Sequence, residues 1–174
     1  MDKQYVFLSF GLMLIAATLL YRWFIKSSLV RLETTLALQF LLIVHCFRFI
    51  SPISLVAGVT VPGLSTDFTY PQVIGDVGTA LFALIGIALL RSRLKMALGW
   101  VWFTNMFGLA DLIVVGVQGT RFDFFGHVGG MFYIVAWFVP WLLLSHVLIF
   151  SRLVRKGPDT TSTIVNNTSA SPRV

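Results

Sequence analysis

Four ionisable residues, His45, Arg48, Asp76 and Asp111, lie inside stretches of this sequence that are otherwise apolar enough to cross a membrane. A charged side chain in the hydrocarbon of a bilayer is costly, so such residues face the protein interior and mark functional sites. Histidine and aspartate exchange protons, and arginine is a fixed positive charge with several donors. The set is therefore suited to proton exchange, acid–base catalysis or binding of a small polar ligand.

Composition indicates the class of protein that holds these residues. The 174 residues are 57% hydrophobic and 11% charged, with a mean hydropathy of +0.87, whereas a water-soluble domain needs a more polar surface. Polar or charged breaks separate five apolar segments, each near the about 20 residues of a spanning helix. The segments are Tyr5–Ile25, Thr34–Ile50, Gln72–Leu90, Met96–Val117 and Gly130–Phe150. We predict an all-α integral membrane protein, a five-transmembrane-helix bundle.

The chain divides into two predicted regions. Residues 1–156 form the five-helix transmembrane domain. Residues 157–174 are rich in Ser, Thr and Asn, and their low apolar content does not support a packed core. We predict that this segment is a disordered cytoplasmic tail.

Positive residues cluster in alternate connections, which predicts an orientation. They are Arg22, Lys26 and Arg31 in the first break, Arg91, Arg93 and Lys95 in the third, and Arg152, Arg155 and Lys156 after the last segment. The opposite side carries Lys3 and Arg121. Because short loops rich in Lys and Arg stay in the cytoplasm, the N-terminus is expected outside and the C-terminus in the cytoplasm of a multi-pass cell-membrane protein. The pI of 10.0 then reflects topology, and the predicted partner is the lipid bilayer rather than nucleic acid.

Helical geometry places the four ionisable residues at similar depths. At 1.5 Å per residue, His45 and Arg48 lie roughly 16 and 21 Å from Thr34 at the inner start of the second segment. They are three residues apart and share a helix face. Asp76 and Asp111 lie near the outer ends of the third and fourth segments. The sequence predicts one polar site in the outer half of the bilayer, between these three helices.

Small residues accompany both aspartates at helical spacing. They are Thr79, Ala80, Ala83 and Gly86 with Asp76, and Thr104 and Gly108 with Asp111, with Asn105 at the edge of the second face. Small side chains let helices approach closely in lipid, so these faces should point into the bundle. Asn105 is therefore a further candidate for the polar site.

The charges of this site do not cancel. Two carboxylates facing Arg48 leave a net negative charge unless His45 is protonated or one aspartate holds a proton. Either arrangement is a titratable cluster, as acid–base pairs and proton relays require. A structural ion-pair network that fixes the contacts between helices has the same composition, and both interpretations stay open.

The sequence has two further histidines, His127 and His146. His127 lies at the outer rim, just before the fifth segment, and is a candidate to join the site from above. His146 lies toward the inner end of the fifth segment, and this offset argues against His45 and His146 sharing a metal ion or a haem. The sequence contains no phosphate loop and no HExxH, CxxC or G-x-S-x-G motif. We predict no metal site and leave the cofactor and any catalytic residue unassigned.

The longer outer connection, Ser51–Pro71, is interrupted by proline and glycine yet remains apolar. Irregular backbone near a membrane is tolerated where protein or a cavity surrounds it. We expect a lid or re-entrant segment over the mouth of the bundle.

Three functions are compatible with these features. In the first, the protein binds or translocates a small ligand or protons: Arg48 engages an anionic group or balances the carboxylates, and a homo-oligomer completes the pathway. In the second, His45 and one aspartate act as acid and base in an intramembrane enzyme for a lipid-like or isoprenoid substrate. In the third, the protein is a structural or accessory membrane subunit.

Overall fold

Five helices of the computed structural model, which describes residues 2–155, are long and apolar enough to cross a membrane. They are α1 Lys3–Arg31, α2 Thr34–Leu55, α3 Thr66–Arg91, α4 Ala97–Arg121 and α5 Gly129–Arg155. A single helical turn, Phe124–His127, precedes α5, and residues 2–155 include no β-strand. The prediction of an all-helical chain with five candidate membrane spans is confirmed. The predicted tail at 157–174 lies outside the described residues.

Helix α3 lies between α2 and α4, and α5 packs against α1, α2 and α4. The small-residue face predicted for α3 is buried, with Thr79, Ala80 and Ala83 fully inaccessible. On α4, Thr104 and Asn105 are buried as well. Close packing of small faces therefore brings the polar residues of α2, α3, α4 and α5 into one interior.

The last part of α2 is wound more tightly than an α-helix. Residues Phe47–Leu55 form a 3₁₀ segment that contains Pro52. In this geometry side chains three apart lie on one line. Arg48, Ser51 and Ser54 follow that spacing, and all three are buried. The 3₁₀ segment therefore directs a row of polar groups into the bundle.

Helix α3 begins at Thr66, six residues before the predicted start at Gln72. The hydroxyl oxygen of Ser65 caps it by accepting from the backbone N–H of Asp67 at 3.1 Å, as N-cap serines do. Pro71 lies in the second turn of the helix, where it removes one backbone hydrogen bond and its ring crowds the carbonyl of Asp67. The end of the connection predicted at Ser51–Pro71 is therefore helical, which corrects the sequence-based boundary.

The remaining loop, residues 56–65, is joined to the connection before α5. The backbone N–H of Val61 donates to the carbonyl of His127 at 3.0 Å, and that of Gly130 donates to the carbonyl of Val59 at 2.6 Å. Gly129 has φ +50°, and a Cβ there would lie 2.4 Å from the Val59 oxygen. Only glycine fits this crossing, so the two connections form one joined structure at this end.

Buried apolar residues form two clusters. One includes Leu38, Leu42, Val101 and Ile149, toward the end of the bundle that carries Arg31 and Arg91. The other consists of Val6, Phe68, Phe124, Val128 and Met131, at the end where the two connections join. Along α2 to α5, the buried polar residues lie between these clusters, in a polar layer enclosed by apolar packing.

Candidate functional site

Arg48 lies at the centre of a buried charge cluster, and its side chain is 1% exposed. Its Nε donates to Oδ1 of Asp76 at 2.6 Å, and its Nη2 donates to Oδ2 of Asp111. Its Nη1 donates to the carbonyl oxygen of Gly108 at 3.1 Å. Each nitrogen of the guanidinium thus has its own acceptor, and Arg48 links α2 to both α3 and α4. We call Asp76, Arg48 and Asp111 the triad.

The aspartates of the triad have further contacts. Nε2 of Gln72 donates to Oδ2 of Asp76 at 2.5 Å, and Oε1 of Gln72 accepts from the Ser54 hydroxyl at 3.3 Å. A Cβ on Gly75 would lie 1.8 Å from Oδ1 of Asp111. The absence of a side chain at Gly75 therefore makes room for the Asp111 carboxylate against α3.

A cavity of about 60 Å³ adjoins the triad, and its polar lining consists of Arg48, Ser51, Gln72 and Asp76. The hydroxyl oxygen of Ser51 is buried without a hydrogen-bond partner. A buried water needs about 10–15 Å³ and several polar partners, so the cavity has room for roughly four waters. The triad therefore has a hydratable space beside Asp76.

A second cavity, of about 90 Å³, reaches the triad at Asp111. Its polar lining includes Asp67, Gln72 and Gln118. The side chains of Asp76 and Asp111 are 15% and 11% exposed, against 1% for Arg48. Small solutes therefore reach the carboxylates more readily than the guanidinium.

The charge of the triad follows from its composition. With both carboxylates ionised, two negative charges and one positive charge sum to −1. An uncompensated charge in a low-dielectric interior is unfavourable. One proton on a carboxylate, or on a group in contact with the triad, neutralises the cluster.

His45 and His146 are in contact, with ring centroids 4.3 Å apart and ring planes inclined by 58°. Both side chains are buried. The prediction that the two histidines lie at different depths is therefore wrong. The cause is the length of α5, which continues to Arg155 instead of ending at Phe150. Counted from Arg155, His146 is roughly 14 Å along the helix, close to the depth expected for His45.

Two neighbours determine which ring nitrogens carry hydrogen. Nδ2 of Asn105 donates to the backbone carbonyl of His146 at 3.3 Å, so its Oδ1 accepts from Nδ1–H of His146 at 2.7 Å. The hydroxyl of Ser145 donates to the carbonyl of Leu142 at 2.7 Å and accepts from Nε2–H of His45 at 2.9 Å. Nδ1 of His45 and Nε2 of His146 are left as lone-pair acceptors. Both are buried without a partner.

The structure does not bring His127 to the triad. Its Nδ1 contacts the carbonyl of Asp123 at 2.8 Å, and its ring lies against Gly63, where the two connections join. Asp123 also pairs with Lys3 at 2.6 Å, and the hydrogen bond from Lys3 lowers the pKa of Asp123. His127 therefore belongs to the exposed rim.

No group of three or more His, Cys, Asp or Glu side chains arranged to hold a metal ion occurs within residues 2–155. The contacting rings of His45 and His146 also leave no space between them for a haem. These two residues are available instead as proton acceptors.

Residues of the polar layer that were absent from the sequence-predicted site include Ser51, Gln72, Ser145 and His146. Two had a usable signal, because Ser51 is three residues after Arg48 and Gln72 is four before Asp76, at the spacing of a shared helix face. Ser145 and His146 had none, since their contacts depend on where α5 ends and how it is rotated. Of the six predicted residues, the structure brings five together in the polar layer: His45, Arg48, Asp76, Asn105 and Asp111.

Fold and site together describe an all-helical protein with five candidate membrane spans and a buried cluster of charged and titratable residues. Residues 5–154 match the model of a family described as a domain of unknown function, DUF8737, and the chain belongs to that family. No curated protein and no solved structure matches the chain. The matched range includes the triad and the histidine pair.

Proposed function

We propose that this membrane protein takes up and releases a proton at the Asp76–Arg48–Asp111 triad, and that this exchange is part of translocating protons or a small ligand. The observation that carries the proposal is the single buried guanidinium held between carboxylates of two different helices. Ionisable residues inside membrane helices commonly mark proton relays and ion pathways.

The proposal is supported by the charge and the surroundings of the triad. A cluster of net charge −1 becomes neutral on binding one proton, so the proton is the simplest ligand that satisfies it. The cavity beside Asp76 and the cavity beside Asp111 provide room for water at both carboxylates. Proton exchange needs such a donor, acceptor and water in contact.

Arg48 acts in this proposal as a counter-charge. Three of its five N–H groups donate within the protein, and its side chain is 1% exposed, so an anionic ligand would have to enter a closed cluster to reach the other two. Of the two roles predicted for Arg48, balancing the carboxylates therefore has the stronger support.

The membrane arrangement is proposed from the sequence. The distribution of Lys and Arg favours an N-terminus outside and a C-terminus in the cytoplasm of the cell membrane. In that orientation the joined connections lie outside and the proton reaches the triad from the outer side. An apolar cluster that includes Leu42 and Val101 fills the opposite half. Translocation then requires a rearrangement of that half or a pathway completed by a homo-oligomer.

The test measures proton binding and proton movement separately. Infrared spectroscopy of the protein in lipid reports a protonated carboxyl band, which we expect to appear as the pH is lowered and to be lost in Asp111→Asn or Asp76→Asn. Proteoliposomes with an internal pH dye and an imposed potential are expected to show proton uptake that both variants abolish. Asp123→Asn, at the exposed rim, is the matched control and should retain both signals.

Two results would contradict the proposal. If no carboxyl band of the triad appears between pH 4 and pH 9, the site does not exchange a proton. If Asp76→Asn and Asp111→Asn lower thermal stability yet leave uptake and cellular phenotype intact, the triad is a structural link and the accessory-subunit hypothesis is favoured.

An apolar groove favours intramembrane catalysis as a second candidate function. Phe47, Tyr133 and Trp137 line it, and it shares Ile50, Ile134 and Phe138 with the cavity beside Asp76. A lipid-like substrate lying in this groove would have its polar end near the triad. An enzyme of this kind would change the lipid extract of membranes that contain the protein, would lose that activity in Asp76→Asn, and would show no pH-dependent flux.

A further inference from the structure

Two buried histidine nitrogens, Nδ1 of His45 and Nε2 of His146, have no hydrogen-bond partner. Proton exchange at the carboxylates of the triad does not use either of them. We propose that His45 and His146 form a second proton-binding site, which accepts the proton that the triad releases. This inference rests on the proposed function and extends it inward, from the carboxylates to the fifth helix.

The geometry of the pair leaves two bases available. Asn105 and Ser145 each occupy one ring nitrogen as described, which leaves Nδ1 of His45 and Nε2 of His146 with free lone pairs. Buried polar atoms are rarely left without a partner, so each such atom needs an explanation. A bound proton or a water that donates to these nitrogens supplies the partner.

The pair and the triad meet at Gly108. A Cβ on Gly108 would lie 3.0 Å from Cε1 of His146 and 3.1 Å from Nη1 of Arg48. Cε1 is the ring carbon between Nδ1 and Nε2. The Cε1 edge of His146 therefore lies beside the guanidinium of the triad.

Charge decides how many protons the combined cluster holds. Charged or titratable groups around the pair include Cys46, which follows His45 in α2, and Arg48, which meets His146 at Gly108 and holds Asp76 of α3 and Asp111 of α4. The Cys46 thiol donates to the carbonyl of Leu42 and contributes no charge while protonated. The triad at −1 and one protonated histidine sum to zero, whereas two protonated histidines give +1 beside Arg48. One proton is therefore shared between the triad and the pair.

The transfer step is balanced within the cluster. The O–H bond of protonated Asp111 breaks as an N–H bond forms at Nε2 of His146, through an intervening water. Asp111 becomes a carboxylate held by Arg48, and His146 becomes an imidazolium that keeps its Nδ1–H bond to Asn105. No electron or other group is transferred.

The position of the pair gives the step a direction. Leu38, Leu42 and Ile149 of the apolar cluster follow the pair toward the other end of the bundle. Within residues 2–155, His45 and His146 thus form the inner limit of the polar layer at α2 and α5. A proton on this pair has moved away from the carboxylates of the triad. It lies next to the apolar cluster that includes Leu42 and Ile149, which must rearrange for translocation.

The test is nitrogen NMR of protein labelled with ¹⁵N-histidine in lipid, recorded over the pH range in which the infrared carboxyl band changes. We expect one unprotonated ring nitrogen of the pair to become protonated in that range. His45→Gln and His146→Gln assign the signals. His127→Gln removes a rim histidine and should leave the signals of the pair unchanged.

Asp111→Asn provides the second arm. It removes one negative charge from the triad, so the proton concentration at which the pair is half protonated should rise about tenfold. The NMR titration measures this concentration directly. If the ring nitrogens of the pair stay unprotonated while the carboxyl band changes, the inference is wrong and the proposed function stands. A histidine titration unaffected by Asp111→Asn would also overturn it. Absence of the carboxyl band overturns the proposed function itself.

Discussion

Arg48 links three helices through ion pairs and hydrogen bonds. Its planar guanidinium donates to Asp76, Asp111 and the Gly108 carbonyl from three different nitrogens. Lysine has a single point of charge and does not reproduce this geometry. Removing one partner of such a buried arrangement leaves charge without compensation, which costs far more than the ion pair contributes.

Replacing Arg48 should therefore destabilise the protein strongly. We expect Arg48→Met to lower the free energy of unfolding by about 3–5 kcal/mol, because two carboxylates remain buried and uncompensated. The measurement is equilibrium unfolding in mixed detergent micelles, with Arg121→Met as an exposed control.

A compensating variant separates charge from packing. Adding Asp76→Asn and Asp111→Asn to Arg48→Met removes every charge of the triad and should recover at least half of the loss. An equally unstable triple variant would show that packing of the Arg48 side chain, rather than charge, is what stabilises the three helices.

At the scale of elements, the contact between α3 and α4 depends on two glycines. Gly75 leaves space for the Asp111 carboxylate, and Gly108 lies against Thr79, His146 and Arg48. Small residues allow helices to approach closely in lipid. Here the same close approach also lets a carboxylate of one helix reach an arginine of another.

The glycine at position 75 is therefore expected to be essential for the geometry of the triad. In Gly75→Ala the new methyl would lie 1.8 Å from Oδ1 of Asp111, so the carboxylate or the helix must move. We expect a loss of the Asp111 infrared band at its wild-type pH and a lower unfolding temperature.

Gly78→Ala is the matched control on the same helix, because its Cβ would have only ordinary contacts with Phe107, at 3.7 Å. It should leave the band unchanged and stabilise α3 by about 0.5–1 kcal/mol, the usual gain of alanine over glycine in a helix. Equal effects of the two substitutions would argue against a specific role for Gly75.

The change of α2 from an α-helix to a 3₁₀ segment at Phe47 also acts at this scale. It follows His45 and precedes Arg48. His45 contacts α5 through Ser145 and His146, whereas Arg48 contacts α3 and α4. Helix α2 therefore contributes His45 to the histidine pair and Arg48 to the triad, although their three-residue spacing predicts one shared face.

The whole molecule has a layered organisation, with polar residues between two apolar clusters. Its outer surface is apolar as well. Leu12, Ile74 and Ile113 are examples, with exposures of 59%, 70% and 59%. Contiguous apolar surface of this kind marks contact with lipid or protein rather than water.

Topology is the prediction that belongs to the whole molecule. In a Cys46→Ser background, which removes the single cysteine, Lys95→Cys should react with a membrane-impermeant maleimide only after cells are permeabilised. Arg121→Cys should react in intact cells, because the opposite end of α4 is expected outside. The reverse pattern would overturn the proposed orientation and the outer access to the triad.

Much of the site was predictable because burial of charge in an apolar segment is visible in the sequence. Arg48, Asp76 and Asp111 stand out in this way, and helical spacing placed Asn105 beside them. His127 was misplaced because loop paths do not follow helical spacing. His146 was excluded because helix ends read from hydropathy were several residues short, and a few residues of error change a depth by more than the size of a side chain.

The sequence alone determined the all-helical class, the number of candidate spans, and the arginine and carboxylates that pair in the interior. These follow from composition and from periodicity, which are local properties of the chain. The tertiary structure decided which nitrogen donates to which oxygen, which glycines admit the contact, and that His45 and His146 meet. Those facts depend on helix ends, rotation and a 3₁₀ turn, and packing between distant segments sets all three.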